Sequence, residues 1–433
     1  MKKVAFHTLG CKVNTYESEA MRKLFVLDGY KVVDFKQVAD VYVINTCTVT
    51  NTGDSKSRQM IRRAIRTNPD ACVCVTGCYS QVAKEEIEAI DGVGVILGTQ
   101  YRNEIVELAN HYLQTGQMIC KVDNIMKTKR FEDLEVQSFA ENTRAFLKIQ
   151  DGCNNFCTYC IIPFARGLVR SRPKESVLKE AQALVDHGFV EIVLTGIHTA
   201  GYGQDLENYS FADLLKDLCH HINGLKRLRI SSIETSQIND EIISLIVNEK
   251  IIVDHLHIPI QSGCDTVLAR MNRKYTCADY LKKVRDIKKA LPNLAFTTDV
   301  IVGFPQETEE EFMETYHFIE EVGFSQLHVF PYSPRKNTPA ARMKGQVQDS
   351  IKTERVHRLL DLSKRLHEQY AMQFIGKEVE VIFEEMNKDN QLIGHASNYL
   401  KVCANGPQCI IGEVVKVTIL SFKDGLCQAE IKK

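Results

Sequence analysis

The sequence has almost no net charge, and no apolar run in it reaches the length of a membrane-spanning helix. Lys and Arg number 54 against 55 Asp and Glu among 433 residues, which leaves a net charge of −1. Long-range attraction of a polyanion is therefore not built into the whole molecule, and any nucleic-acid site must be a local patch. A transmembrane helix needs about 18 apolar residues, so we expect no membrane partner and a cytoplasmic location.

An export signal is also missing from the first residues, and this decides how the cysteines are interpreted. The N-terminal apolar stretch is only about seven residues long, at the short limit for a signal peptide, and it contains His7. The chain nevertheless has 15 cysteines, an odd number. Without export, disulfides are not expected, and metal-binding or reactive thiols are favoured instead.

Residues 1–120 alternate between short apolar strands and helices, which predicts an α/β domain with an open parallel sheet. The predicted strands are 4–8, 31–35, 41–45, 72–76 and 93–97, and the predicted helices are 15–28, 52–67, 81–89 and 102–115. Residues 121–144 are polar and have no clear period, so we interpret them as a linker.

Residues 145–370 are predicted to form a second domain. Six strand–helix units repeat up to residue 330, which indicates a partial, open (β/α)6 version of the eight-fold barrel. The predicted strands lie near 146–149, 191–195, 227–231, 255–258, 296–301 and 327–330. A basic helical extension follows, with a long helix over 349–373. Residues 371–433 contain five short strands and predict a small β-barrel.

The most informative motif is a CxxxCxxC loop formed by Cys153, Cys157 and Cys160. It follows the first strand of the central domain, where barrels of this type place their chemistry. The alternative is a zinc site, but zinc would need a fourth ligand from the protein. Three thiols would leave one iron of a [4Fe–4S] cluster open to a substrate or cofactor. Tyr159, just before the last cysteine, is suited to lie beside a flat adenine-like ring.

A second thiol set consists of Cys11, Cys47 and Cys78, each of which comes shortly after a predicted strand. Parallel strands end on one edge of a sheet, so three thiols that are distant in sequence should converge there. The alternative is that they are ordinary buried cysteines, which often behave as small hydrophobic residues.

Polar residues and glycines also follow the strands of the central domain. At successive strand ends they indicate a cofactor-lined mouth, since glycine permits close approach to a ligand. These candidates are Thr195, Gly196, Ser232, Glu234, Gln261, Asp299 and Gly303.

The CxxxCxxC loop, with an aromatic residue before its last cysteine, resembles the radical S-adenosylmethionine superfamily. The segments Thr8-Leu-Gly-Cys-Lys-Val-Asn14, Asn45-Thr-Cys-Thr-Val-Thr50 and Thr76-Gly-Cys78 resemble the N-terminal domain of its methylthiotransferase family. The whole chain follows that family's domain order. The resemblance implies a cluster domain over 1–120, a radical S-adenosylmethionine domain over 145–370 and a TRAM barrel over 371–433.

The same resemblance implies two [4Fe–4S] clusters, one on each cysteine set, and S-adenosylmethionine as cofactor. The resemblance further implies that one S-adenosylmethionine would methylate a sulfur at the N-terminal cluster. Another would yield a 5′-deoxyadenosyl radical that removes hydrogen from C2 of an adenine base, which would then take the methylthio group. No acid or base catalyst is assigned. An electron donor such as flavodoxin or ferredoxin and a sulfur source are implied as partners.

The segment Leu9-Gly-Cys-Lys-Val-Asn14, with Lys12 and Val13 beside Cys11, resembles one branch of that family. This resemblance implies modification of N6-threonylcarbamoyladenosine at position 37, in the anticodon stem-loop of tRNA. The alternatives are methylthiolation of isopentenyladenosine in tRNA or of a ribosomal-protein aspartate. A protein of a different class is also considered, a non-catalytic iron–sulfur electron carrier with an RNA-binding tail. Four cysteine ligands per cluster, and not three, would suit such a carrier better.

Four regions are candidates for contact with tRNA. Arg58, Arg62 and Arg66 form a stripe on one predicted helix, and the segment 331–370 has nine Lys or Arg against four Asp or Glu. The group Arg166, Arg170, Arg172 and Lys174 is expected to serve either cofactor or tRNA. The last domain has no excess of positive charge, and its candidates are Lys401, Lys416, Lys423, Tyr399 and Phe422.

Overall fold

Residues 1–121 are built around a six-stranded sheet in which every strand pair is parallel, as the alternating pattern predicts. The computed structural model describes residues 1–136 and 143–432. The strand order is β2-β1-β3-β4-β5-β6. The strands are β1 (Lys3–Thr8), β2 (Lys31–Val33), β3 (Val41–Thr46), β4 (Cys72–Gly77), β5 (Val93–Leu97) and β6 (Ile119–Lys121). The helices are α1 (Lys12–Leu27), α2 (Asn51–Thr67), α3 (Cys78–Val82), α4 (Lys84–Glu88) and α5 (Ile105–Thr115).

Both faces of this sheet are covered, so its central strands are apolar on both sides, as parallel sheets require. Along β3, Val41 and Val43 belong to one hydrophobic cluster, while Tyr42 and Ile44 belong to the cluster on the opposite face. The strand β6 has only three residues, too few for a pattern to show in sequence.

The next region is a partial barrel of six parallel strands with its helices outside, in agreement with the predicted (β/α)6 architecture. One sheet has the order β10-β9-β7-β8 and the other β11-β12-β13. Parallel bridges from Leu228 to Ile252 and from Ser232 to His257 join them. The six parallel strands are β7 (Ala145–Asp151), β9 (Glu191–Gly196), β10 (Arg227–Ile230), β11 (His255–His257), β12 (Ala295–Val302) and β13 (Gln326–Pro331). The two-residue strand β8 (Arg170–Ser171) pairs antiparallel with β7.

Four helices of this region, α8, α9, α11 and α12, begin with a side-chain cap; for example, Thr308 and Glu311 form a capping box at the start of α12. The helices are α6 (Ile162–Arg166), α7 (Lys174–Asp186), α8 (Phe211–His221), α9 (Asp240–Asn248), α10 (Asp265–Arg270), α11 (Cys277–Ala290), α12 (Glu309–Val322) and α13 (Asp349–Met372). The described part of the predicted linker is packed rather than free, since Leu134 and Val136 are buried in the barrel's core. Residues 137–142 of that linker lie outside the described residues.

The last five strands form a closed barrel in the order β14-β15-β16-β18-β17, as predicted. They are β14 (Glu378–Met386), β15 (Leu392–Ala396), β16 (Lys401–Ala404), β17 (Val414–Lys423) and β18 (Leu426–Ile431). Closure removes exposed sheet edges. The connection between β15 and β16 places Tyr399 against the central barrel, where its ring stacks on that of His255.

Candidate functional site

The thiols of Cys11, Cys47 and Cys78 lie at the same edge of the N-terminal sheet. Cys11 is the N-cap of α1, Cys47 follows β3, and Cys78 begins α3 directly after β4. Gly10 allows this convergence, because a Cβ atom there would lie 3.0 Å from Cβ of Cys47, and its φ is +109°. Burial raises the pKa of Cys78 to about 12, and the other two cysteines add to that rise.

A guanidinium from the central barrel reaches this thiol set. Arg166, at the end of α6, donates from Nε to Sγ of Cys78 at 3.1 Å and from Nη2 to Oδ1 of Asn14 at 2.7 Å. It is fully buried and also forms an ion pair with Glu17 of α1. Arg166 lies only six residues beyond Cys160 in sequence, so the two thiol sets are structurally linked.

The network around Arg166 is a buried cluster of alternating charges. Glu17 pairs with Arg102 and Lys148 as well as Arg166, and Asp151 pairs with Lys148 at 2.6 Å. Burial opposes ionisation of Glu17, but these three cations prevail and lower its pKa to about 2. Such a pairing keeps the buried charges compensated.

The loop 153–160 is held by backbone contacts on both sides. The N–H of Cys153 donates to Gly167, and Thr158 donates to the carbonyl groups of Met271 and Arg270. Gly152 has a φ of +76°, and a Cβ there would lie 1.9 Å from the carbonyl oxygen of Leu168. Burial raises the pKa of Cys153 to about 11 and that of Cys160 to about 12.

A second arginine lies against this loop, and the sequence did not point to it. Arg273 donates from Nη1 to Sγ of Cys157 at 3.3 Å and forms an ion pair with Glu234. Glu234 is therefore connected to the cysteine loop through Arg273 rather than placed in a cavity. Each thiol set thus receives an N–H donor from a buried guanidinium, Arg166 in one set and Arg273 in the other. Such a donor stabilises the thiolate form of the sulfur relative to the thiol.

Two adjoining cavities occupy the mouth of the central barrel. The first has a volume of about 480 Å³ and the second about 270 Å³. Among the predicted cofactor residues, Thr195, Gly196 and Ser232 line the first cavity, Tyr159 and Gln261 line the second, and Asp299 lines both. Gly303 lies outside both cavities. A Cβ atom at this position would lie 2.3 Å from Cγ of Lys352, so the glycine makes room for that side chain.

All three parts of the fold meet at the first cavity. Cys11 and Lys12 come from the start of α1, Arg229 and His257 from the barrel strands, and Tyr399 from the C-terminal barrel. The Tyr399 ring stacks on that of His255 with a centroid distance of 4.8 Å. Lys12 is exposed to the cavity, yet burial by surrounding protein lowers its pKa. Tyr399 and Glu191 oppose this lowering, and Arg229 and Arg144 add to it.

Several predicted tRNA contacts are occupied within the protein. Of the group predicted to serve either cofactor or tRNA, Arg166, Arg170 and Arg172 are buried, and Arg172 pairs with Glu180 and Asp133, so these three are not available to tRNA. Lys174 is exposed and lies over the ring of Tyr209. The excess charge of 331–370 is also largely neutralised. Its paired side chains are Arg335 with Asp54, Lys352 with Asp349, Arg355 with Glu307, Arg358 with Glu309 and Arg365 with Glu320.

The arginine stripe on α2 is only partly available. Arg58 donates to the hydroxyl of Tyr79 at 2.7 Å and pairs with Glu86. Arg62 and Arg66 are exposed, and neither has a charged partner within residues 1–136 and 143–432. They are the better candidates for phosphate contacts. Of the helices in these same residues, none is both long and apolar enough to span a bilayer.

Comparison with known proteins covers the three parts of the chain separately. The description "Radical SAM superfamily" matches residues 147–319, "TRAM domain" matches 373–432, and "Uncharacterized protein family UPF0004" matches 3–98. Among solved structures, the radical S-adenosylmethionine methyltransferase TsrM from Kitasatospora setae shares the fold with a TM-score of 0.59 at 15% identity, covering 78% of this chain and 77% of that one.

Curated relatives extend over nearly the whole length. The threonylcarbamoyladenosine tRNA methylthiotransferase MtaB of Bacillus subtilis is 58% identical, with 97% of this chain and 94% of the relative covered. MtaB of Aquifex aeolicus is 39% identical over 96% of this chain and 100% of the relative. The tRNA-2-methylthio-N6-dimethylallyladenosine synthase of Oceanobacillus iheyensis is 34% identical over 98% of this chain and 82% of the relative. The chain therefore belongs to the radical S-adenosylmethionine methylthiotransferase family, in its MtaB group, and is an enzyme that uses [4Fe–4S] clusters and S-adenosylmethionine.

Proposed function

We propose that this enzyme transfers a methylthio group to C2 of N6-threonylcarbamoyladenosine at position 37 of tRNA. The observation that carries the proposal is the arrangement of the two cavities. One is lined by Cys11 and the other by Cys160, and both are lined by Asp299 and Phe330. A base held at Asp299 would lie between the two thiol sets. The MtaB relatives favour the threonylcarbamoyl substrate.

In this proposal Cys153, Cys157 and Cys160 hold one [4Fe–4S] cluster, and Cys11, Cys47 and Cys78 hold the other. The residues fit such groups, because cysteine thiolates are the usual ligands of iron–sulfur clusters and all six cysteines are free. With S-adenosylmethionine, the cluster supplies radical chemistry that removes hydrogen from an unactivated carbon.

The protein's own side chains would position the reactants and keep water out. Tyr159, Gln261 and Asp299 line the cavity beside Cys160 and would bind S-adenosylmethionine. Thr195, Gly196 and Ser232 line the cavity beside Cys11 and would contact the base or its substituent. Tyr399 covers that cavity from the C-terminal barrel, and exclusion of water protects a reactive intermediate from side reactions.

The partners of the proposed reaction follow from its chemistry. The anticodon stem-loop of tRNA would contact Arg62 and Arg66 and the exposed lysines of the C-terminal barrel, Lys401, Lys416 and Lys423. An electron donor such as flavodoxin or ferredoxin and a source of sulfur complete the system, which we place in the cytoplasm.

A second candidate substrate is N6-dimethylallyladenosine, favoured by the 34% identical relative named for it. One assay separates the two. Reconstituted enzyme is incubated with reductant, S-adenosylmethionine and tRNA that carries either modification, and the digested nucleosides are analysed by mass spectrometry. We expect the 2-methylthio derivative of the threonylcarbamoyl nucleoside. Product from the dimethylallyl tRNA alone would establish the second candidate, and cleavage of S-adenosylmethionine with neither product would overturn both.

A further inference from the structure

We propose that Lys12 and Arg229 bind the carboxylate of the threonylcarbamoyl group in the first cavity and so determine which modified adenosine is accepted. This inference rests on the proposed function and deepens it. It assigns a role to Lys12, which lies beside Cys11, and to the buried Arg229. Neither residue has a role in the two proposed cluster sites.

The first cavity has an excess of positive charge. Lys12 and Arg229 line it, and its lining contains one carboxylate, that of Asp299. Burial lowers the pKa of the lining residues His255 and His328, so the positive charge comes from Lys12 and Arg229. Asp299 is already engaged, since its Oδ2 lies 3.3 Å from Nε2 of His257. Within the part of the chain that the structure describes, Lys12 has no hydrogen-bond or ion-pair partner.

Arg229 is held so that one of its nitrogens stays unsatisfied. Nε donates to Glu191 at 2.7 Å, Nη1 donates to the carbonyl oxygen of Ser397 at 3.2 Å, and the guanidinium lies 4.8 Å from the centre of the Tyr399 ring. Nη2 is buried and has no acceptor among the described residues. A buried donor without a partner is costly, so an anionic acceptor from a ligand would be stabilised there.

A divalent metal is the competing occupant of this cavity. His257, Asp299 and His328 each place one possible ligand atom within 4.8 Å of the others, and two histidines with one carboxylate form a familiar metal-binding set. The charge of the lining opposes a metal, because Lys12 and Arg229 line the same cavity and would repel a cation.

The chemistry of a carboxylate-bearing substituent matches the remaining lining. Ser231, Ser232 and Gln326 offer groups for a hydroxyl and a urea-like linkage, and about 480 Å³ suffices for a side chain of this size. An apolar dimethylallyl group would leave Lys12 without an anionic partner and Nη2 of Arg229 without an acceptor, which selects against it.

The test measures binding to the reconstituted holoenzyme. Anticodon stem-loops carry, at position 37, the threonylcarbamoyl group, its neutral carboxamide or the dimethylallyl group, and Kd is obtained by fluorescence anisotropy at fixed salt. We expect the acid to bind about 10- to 100-fold more tightly than the carboxamide, as a charged hydrogen bond to a carboxylate implies. Lys12→Met should reduce this preference to about threefold or less, and Lys12→Arg should keep most of it.

The matched control is Lys23→Met, on the same helix but outside the cavity. It should behave as the wild type, and the visible absorbance of each variant reports whether both clusters are intact. Equal binding of acid and carboxamide by the wild type, or an unchanged preference in Lys12→Met, would overturn the inference even if the wild type forms the methylthio product. A preserved preference without product would instead overturn the proposed function and leave the carboxylate site standing.

Discussion

Arg166 donates from Nε to Sγ of Cys78 across 3.1 Å, and this contact joins the central barrel to the thiol edge of the N-terminal sheet. The two residues belong to different parts of the fold, and the same guanidinium neutralises Glu17 on α1. Arg166 therefore connects the two regions that carry the proposed cluster sites, together with contacts such as the ion pair of Arg335 with Asp54.

Replacement of Arg166 by Met should destabilise the protein markedly. It would leave the buried Glu17 and Asp151 with fewer cationic partners, and breaking a buried ion pair costs about 3–5 kcal/mol. Urea unfolding of the holoenzyme measures the change. Arg62→Met, an exposed control on α2, should change the unfolding free energy by about 0.5 kcal/mol or less. A similar small change for Arg166→Met would contradict a structural role for the contact.

The two cysteine sets should separate by function when each loses one member. Cys157→Ala should abolish cleavage of S-adenosylmethionine. Cys47→Ala should retain some cleavage but form no methylthio product. Each variant should lose about half of the iron, since a cubane needs its cysteine ligands. Cys219, on α8, belongs to neither set, and Cys219→Ala should keep full iron content and activity. Sulfur insertion by Cys47→Ala would refute the assignment of the N-terminal set.

Glu311 should make the stability of the central barrel depend on pH in the acid range. Hydrogen bonds from Arg270, Thr266 and Thr308 lower the pKa of Glu311 to about 2, although partial burial opposes this. Because the pKa is lower in the folded protein, the stabilisation is fully present above about pH 5 and is lost as the pH falls from about 4.5 toward 2.

We expect Glu311→Gln to cost about 1–2 kcal/mol at pH 7, an amount suited to a partly exposed charged pair. The difference from the wild type should shrink between about pH 5 and pH 3.5, and any contribution of the clusters cancels when the two proteins are compared by urea unfolding. A difference that stays constant over this range would show that the carboxylate is not stabilised by its partners.

The unpaired arginines of α2 should contribute to tRNA binding. Arg62→Gln combined with Arg66→Gln should weaken binding about 3- to 30-fold at low salt, and the slope of log K against log salt should become shallower by about one unit per lost phosphate contact. The matched control is Arg365→Gln, whose charge is already paired with Glu320. An equal loss of affinity in the control would show that general charge, and not this stripe, attracts the tRNA.

Local patterns were sufficient to predict most of the elements, because strand and helix periods depend on neighbours in sequence. Strands β3, β4 and β5 and helices α2 and α13 lie within a residue or two of their predicted bounds. The pattern was weakest where elements are short, as in β6 and β8, which have three and two residues. The six proposed cluster ligands and the branch-indicating Lys12 likewise stand in short local motifs, which is why a sequence pattern can point to them.

The sequence by itself determined the two cysteine sets, the order of the three folded regions and the kind of cofactor they suit, since these depend on spacing and local pattern. Only the tertiary structure decided which charges are available. It paired Arg355 and Arg365 with glutamates of the preceding region and so removed much of the expected basic surface. It also brought Lys12, Arg229 and Tyr399 to one cavity. The physical reason is that charge pairing and cavity lining depend on contacts between residues tens to hundreds of positions apart, which no local period records.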